Sequence, residues 1–284
     1  MKQESFTVSC GHELGHNGQM ILLTTKKSNS MEIDKIYNED CLVGMKSIPD
    51  KSIDLIIADL PYQTTDNSWD SLIDFKELWA QYERIIKDDR AIVLFGSGSF
   101  TYKLISSNEN LYRYKWIWYK TKRCNFVNAK NRPMTAYEEI MVFSKATTAN
   151  GSKNKMLYNP QGLIPKKTVR RDNGTKFGTM VGKRPSHQET YIGEYTNYPC
   201  DVLEFASETS PVHPTQKPIP LIAYLIRTYS NEGDLVLDNC MGSGTTAVAC
   251  IKEKRHFIGY EITKEYFDIA QERIKQEQSQ LTLF

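Results

Sequence analysis

Leu235-Val236-Leu237-Asp238-Asn239-Cys240-Met241-Gly242-Ser243-Gly244-Thr245-Thr246-Ala247 reads as a buried strand, a glycine loop and the first turn of a helix. Two glycines let backbone approach a ligand closely, and the helix start that follows offers unpaired N–H groups to an anionic end such as a carboxylate or phosphate. Asp238, ahead of the loop, suits the amino group of an amino-acid-like ligand. Glu261 follows seventeen residues after Gly244, at the end of the apolar run Phe257-Ile258-Gly259-Tyr260. There an acidic side chain accepts bonds from two ribose hydroxyls, so an adenosine-containing cofactor on an α/β sheet is expected.

Moving outward, Ile53-Asp54-Leu55-Ile56-Ile57-Ala58 is a second buried strand, and it runs into Asp59-Leu60-Pro61-Tyr62. Proline forbids further helix or central strand, so Asp59 and Tyr62 are presented on a stiff turn at the strand's carboxyl end, where open α/β sheets bind ligands. A carboxylate, a free carbonyl and an aromatic face suit an exocyclic amine on a flat heteroaromatic ring. Phe75, Leu78, Trp79, Tyr82, Ile85 and Ile86 recur at helical spacing before the next apolar run, Ala91 to Phe95. Strand, helix, strand implies a parallel pair with a right-handed crossover. Trp116 to Tyr119 and Ile140 to Phe143 read as further strands. A helix resumes after Pro218, and a charged helix carrying Phe267, Ala270 and Ile274 on one side follows the last strand.

The chain has 284 residues, 40% of them hydrophobic and 25% charged, which fits one large globular domain with an insert. A net charge of +2 means that a nucleic-acid partner must be met by local clustering of basic residues. Such a cluster exists: between positions 145 and 184 ten lysines and arginines, Lys166, Lys167, Arg170 and Arg171 among them, face only Asp172. Tyr158, Phe177, Tyr191, Tyr195 and Tyr198 are interspersed or follow, as suits phosphate contacts with a few base-reading side chains. The six cysteines form no CxxC pair, which argues against a zinc ribbon or a disulfide scaffold and for a reducing cytosol. No apolar run approaches the roughly 20 residues needed to span a bilayer, so no membrane partner is expected. Residues 1 to 30 read as an extension outside the core. They contain His12-Glu13-Leu14-Gly15-His16, which spells a zinc-peptidase motif, but Gly11, Gly15 and Gly18 weaken any helix there and no metal is expected.

Taken together, Asp59-Leu60-Pro61-Tyr62, Asp238 to Thr246 and His213-Pro214-Thr215-Gln216-Lys217-Pro218 resemble the S-adenosyl-L-methionine-dependent DNA amino-methyltransferases, in the motif order of the beta class. The resemblance implies a Rossmann-like, doubly wound, mixed but mostly parallel sheet of the class I methyltransferase kind. It implies a catalytic domain over residues 31–145 and 211–284 and a target-recognition insert over 146–210. Asp59, Leu60, Pro61 and Tyr62 would be catalytic: the Asp59 carboxylate and Leu60 carbonyl hold the amine, and Tyr62 stacks a base extruded from double-stranded DNA. Asp40, Lys217, Asp238, Gly242, Ser243, Gly244, Thr245 and Glu261 would bind the cofactor, with Asp40 on its adenine and Lys217 on its carboxylate. Leu60 and Asn239-Cys240 depart from the Pro and Pro-Phe common in the family.

In that family an acidic first residue goes mostly with adenine and serine mostly with cytosine, so Asp59 implies adenine-N6, with cytosine-N4 as the alternative. The segment Asn125 to Pro133, with Asn125, Lys130 and Arg132, resembles the loop beside the target base. The resemblance also implies a bacterial, prophage or phage-encoded protein of the host cytoplasm; a homodimer and a cognate restriction enzyme stay open. A more distant rival remains, because Gly242-x-Gly244-x-x-Ala247 also satisfies the fingerprint of nicotinamide-dependent oxidoreductases. Against it, the loop begins only about 45 residues before position 284, too little chain for the usual dinucleotide halves unless their order is permuted.

Overall fold

A computed structural model of the chain describes residues 32–62, 73–173, 190–208 and 216–281. Along them run β1 (Lys35–Tyr37), α1 (Cys41–Gly44), β2 (Ile53–Ala58), α2 (Phe75–Ile85), β3 (Ile86–Gly96), α3 (Ser99–Ser107), β4 (Tyr112–Cys124) and β5 (Thr135–Phe143). Then come β6 (Ile164–Asn173), β7 (Thr190–Thr196), β8 (Val202–Phe205), α4 (Ile219–Tyr229), β9 (Leu235–Asp238), α5 (Thr245–Lys252), β10 (His256–Tyr260) and α6 (Lys264–Leu281). The main sheet has the order β1-β10-β9-β2-β3-β5-β4-β8. Pairing is parallel from β1 through β3 and again between β4 and β8, while β5 runs antiparallel to both of its neighbours. This is the mixed, mostly parallel, Rossmann-like sheet expected.

Every residue of β2 is buried, as a central strand covered on both faces requires. Asp54 is the polar exception: its carboxylate takes Lys87 Nζ at 2.6 Å, Arg90 Nη2 at 3.2 Å and the Leu235 N–H at 3.1 Å. One buried charge thereby ties β2 to β3 and β9. Helix α2 starts at Asp74, whose side chain accepts from the Glu77 N–H at 2.9 Å, and buries Leu78, Trp79, Tyr82 and Ile85. Ile86, whose spacing fitted that helical face, is instead the first residue of β3, paired with Ile53. In α4, Leu221, Ile222, Leu225, Ile226 and Tyr229 are buried, and the Tyr229 hydroxyl accepts from the Trp116 indole N–H at 2.6 Å. Ala270 and Ile274 of α6 join the core, with Phe267 packed against it.

Chain direction around the centre decides where a ligand goes. From β2 the chain passes through α2 to β3 on one side; from the adjacent β9 it passes through α5 to β10 on the other. The carboxyl ends of β2 and β9 therefore flank the topological switch point, where a crevice forms. Asp59 and Asp238 stand at those two ends.

The stretch 146–210 separates from the core only in part. Strands β6 and β7 form their own antiparallel two-stranded sheet. Ala146, Met156 and Leu203, however, belong to the main core, and β8 extends the main sheet beside β4. Asn159 also anchors this stretch to the end of α4, its backbone N–H on the Thr228 carbonyl at 2.8 Å. A few apolar side chains among polar neighbours suffice for this, because an edge strand needs only one buried face.

Candidate active site

At the end of β2, both carboxylate oxygens of Asp59 are engaged. Oδ1 accepts from the Tyr62 hydroxyl at 2.7 Å, and Oδ2 accepts from Lys217 Nζ at 2.5 Å. The Tyr62 ring stacks on Phe100 of α3, with centroids 4.5 Å apart and planes 27° from parallel. Leu60 tucks its side chain inward, at 3% exposure. The corner opens on a cavity of about 430 Å³ whose lining includes Asp59 to Tyr62 together with Asp40, Lys217, Asp238, Gly242, Ser243, Thr245 and Glu261. Gly244 is not among the lining residues; it is the cap immediately before α5, with φ of 84°.

The glycine loop is held from both sides. Glu261 Oε2 accepts from the Gly242 N–H and its Oε1 from the Thr263 N–H, both at 2.8 Å. Arg273 of α6 donates from Nη1 to the Ser243 carbonyl at 2.6 Å, to Ser243 Oγ at 3.0 Å and to Thr245 Oγ1 at 3.3 Å. Asp238 accepts from the Cys240 N–H at 3.0 Å and from Thr246 Oγ1 at 2.6 Å. Burial pushes the Asp238 carboxyl up to about 7, with the negative charges of Asp59 and Glu261 adding to it against those two bonds. An anionic ligand at the loop is therefore not what the site favours: Glu261 already occupies the Gly242 amide. Among the described residues, seven carboxylates, Asp40, Asp59, Glu138, Asp238 and Glu261 included, line the cavity against two ammonium groups, Lys120 and Lys217. A ligand carrying positive charge and hydroxyls fits that lining; a pyrophosphate does not.

Two side chains that the motifs left unremarked complete the corner. Lys217 reaches Glu138 Oε2 at 3.3 Å as well as Asp59, and the other Glu138 oxygen pairs with Lys120. A period-two reading of the strands would have found both. Glu138 lies on the same face of β5 as buried Ile140 and Val142, and Lys120 on the same face of β4 as Trp116 and Trp118. A charge continuing a buried face needs a partner. Asp40 caps α1, its Oδ1 accepting from the Leu42 N–H at 2.7 Å and the Val43 N–H at 3.3 Å, while still lining the cavity. Asn239, one of the departures from the family pattern, accepts from the buried Tyr82 hydroxyl at 2.5 Å and donates to Cys41 and Cys240 sulfurs at 3.5 Å.

The family model described as DNA methylase matches residues 53–272, from the first residue of β2 into α6. The chain belongs to the DNA methylase family. The methylase is 30% identical over 258 residues to the Type II methyltransferase M.HpaI of Haemophilus parainfluenzae, a match covering 86% of this chain and 74% of that protein. It is 29% identical over 252 residues to the DNA adenine methyltransferase YhdJ of Escherichia coli (strain K12), covering 86% and 83% respectively. Among solved structures, the crystal structure of the M1.HpyAVI-SAM complex aligns with a TM-score of 0.56 at 26% identity, over 84% of this chain and 98% of that one.

Beside the methylase's cavity, Cys124 on its rim leads into the segment 125–133. Asn125 takes a left-handed conformation (φ 69°) and starts a 3-10 turn, Phe126–Asn128. The amide orientation that satisfies its neighbours sets its oxygen 2.6 Å from both Arg132 Nε and Nη2. Phe126 and Val127 project at the tip, 78% and 92% exposed, with Lys122, Arg123, Lys130 and Arg132 exposed around them. Lys166 is exposed on β6; for Lys167, Arg170 and Arg171 the strand is described but the side chains are not. Tyr158 packs near Tyr229 of α4, 6.2 Å between centroids. Residues 1–30 with His12 and His16, Phe177, and His213 to Thr215 lie outside the described residues, as does the Tyr191 side chain. Among the described residues no group of three or more acidic, histidine or cysteine side chains is placed to hold a metal ion, and no helix is long and apolar enough to cross a membrane.

Proposed function

We propose that this methylase transfers a methyl group to the N6 amine of an adenine turned out of a DNA duplex. S-adenosyl-L-methionine is the donor; when bound it supplies an electrophilic methyl on a positively charged sulfur, which takes the bond's electrons as the amine nitrogen takes the carbon. The observation that carries the reading is the cavity itself: it joins the Asp59-to-Tyr62 corner to an acidic loop at the switch point. Asp238 suits the donor's ammonium, Glu261 its ribose hydroxyls and Asp40 its adenine edge. The same acidity speaks against a dinucleotide.

Extruding a base costs a few kcal/mol of unstacking and unpairing. Stacking on Tyr62 returns roughly 1–3 kcal/mol of it. For the amine to bind, the Tyr62 hydroxyl must release Asp59 Oδ1, so the bond within the corner exchanges for one to substrate. Asp59 and the Leu60 carbonyl then hold the two amine hydrogens and aim the nitrogen lone pair at the methyl. As the amine gains positive charge, the Asp59 carboxylate stabilises it where it develops; the methylated nitrogen then releases its extra proton to solvent, and no covalent enzyme intermediate is required. The β6–β7 sheet and the 125–133 segment form the proposed DNA face, with Phe126 and Val127 against the base stack and the surrounding basic residues on phosphates.

Modification-sensitive sequencing of DNA from a methylation-free host expressing the protein tests this. N6-methyladenine at one recurring sequence is expected, and Asp59→Ala should abolish it while DNA affinity is retained. N4-methylcytosine would replace the adenine assignment, and no modified base from folded, donor-binding protein would sink the proposal.

A further inference from the structure

We infer that Lys217 is a positioning residue that fixes the Asp59 carboxylate, kept in that place by Glu138, and is not a ligand of the donor's carboxylate. The inference rests on the methyltransferase reading of Asp59. Four side chains from four separate segments alternate in sign: Asp59 after β2, Lys217 ahead of α4, Glu138 on β5 and Lys120 on β4. Lys217 is 8% exposed, with Nζ 2.5 Å from Asp59 Oδ2 and 3.3 Å from Glu138 Oε2. Glu138 Oε2 is buried and has no hydrogen bond among the described residues, so the Lys217 charge is what compensates it. Burial alone would weaken the Lys217 charge, yet the two carboxylates outweigh it and hold the ammonium form.

Drawing Nζ away to a third carboxylate would strip the half-buried Asp59 of its ammonium partner and leave Glu138 with Lys120 alone, which is unfavourable. Left where it is, Lys217 occupies Oδ2 and prevents the carboxylate from rotating. The remaining oxygen, Oδ1, faces the Tyr62 side of the corner and is the one that can meet an amine. The motif lysine thus serves the reacting centre through Asp59, and Glu138 serves it through Lys217.

The test compares wild type, Lys217→Met, Lys217→Arg and Glu138→Gln in the full chain. It measures S-adenosyl-L-methionine affinity by calorimetry and single-turnover methyl transfer at saturating donor on unmethylated DNA carrying the sequence that the wild type modifies. Lys217→Met is expected to slow transfer on the order of 100-fold with donor affinity within about threefold of wild type, a split that marks loss of positioning rather than of uniform binding. Lys217→Arg should recover part of the rate, and Glu138→Gln should slow transfer about tenfold at unchanged affinity. Retained donor binding shows that a slow variant is folded. Donor affinity falling tenfold or more in Lys217→Met, with transfer at saturation unchanged, would overturn the inference. If Lys217→Met does not fold, a wild-type rate in Glu138→Gln would overturn it as well. A wild type that methylates no DNA would instead overturn the reading beneath it.

Discussion

Gly244 is the residue whose replacement by alanine most directly tests the packing of the cofactor loop. It sits at φ of 84°, and a Cβ there would lie 2.9 Å from Ala270 Cβ, 3.1 Å from Ala270 Cα and 3.5 Å from the Ala270 carbonyl oxygen. Holding alanine in the left-handed region costs roughly 1–2 kcal/mol. Pressing a methyl against helix backbone adds about 1–3 kcal/mol, because α6 is itself buried through Ala270 and cannot step back freely. Reduced freedom of the unfolded chain returns roughly 0.4–1 kcal/mol. The net expectation for Gly244→Ala is a loss of about 1–4.5 kcal/mol in urea unfolding at unchanged slope, with weakened donor binding as the loop shifts. Gly233→Ala is the control: φ is 81° there and nothing lies within 4 Å, so only the backbone cost applies. Adding Ala270→Gly to Gly244→Ala removes the 2.9 Å contact, and the pair should couple favourably by about 1 kcal/mol. Equal costs at positions 244 and 233, together with strict additivity of the pair, would refute the reasoning.

Because burial raises Asp238 to about 7, an ammonium ligand must bind its ionised form. Donor affinity should weaken by up to about tenfold per pH unit below 7 and level off above it, a profile that calorimetry across pH 5.5–8.5 would show and that Asp238→Asn should flatten. Folding stability runs the other way. The folded state keeps a proton that the unfolded chain releases near 3.8, so the Asp238 contribution is complete below that value and is lost as pH rises toward 7. Tyr82→Phe leaves the buried Asn239 oxygen without its 2.5 Å donor and should cost about 1–3 kcal/mol in chemical denaturation; a neutral effect would mean that Asn239 finds another partner. Phe126→Ser combined with Val127→Ser should leave the melting temperature unchanged, since both are exposed, while weakening DNA binding by about tenfold. Unaltered DNA affinity would remove the tip from the DNA face.

What the sequence made legible is what burial and turn chemistry write locally. The all-apolar run around Ile56, the face of Leu78, Trp79, Tyr82 and Ile85, and the glycine loop after Asp238 each name their element without help from elsewhere. Strand β1 is only three residues long, β8 four, and β6 has isoleucine and valine among many charges; such edge and two-stranded pieces leave no period to read. Ile86 continues the helical spacing because α2 and β3 abut there with no intervening breaker. The partnership of Lys217 was hidden for another reason. A motif records which residue occurs, whereas the choice between a ligand and Asp59 is made by Glu138, which approaches from a strand distant in sequence.

The place of β9 in the sheet also bears on how the protein is made. β2, β3, β5 and β4 can pair with one another as soon as they are synthesised, but the other edge of β2 is filled by β9, which lies far later in the chain. At common rates of translation the gap lasts on the order of 10–40 s. Through that interval a strand that is apolar on both faces waits with an open row of backbone donors and acceptors, the arrangement that invites pairing with another nascent chain. Until β9 arrives, that edge is the part of the nascent sheet most exposed to mispairing.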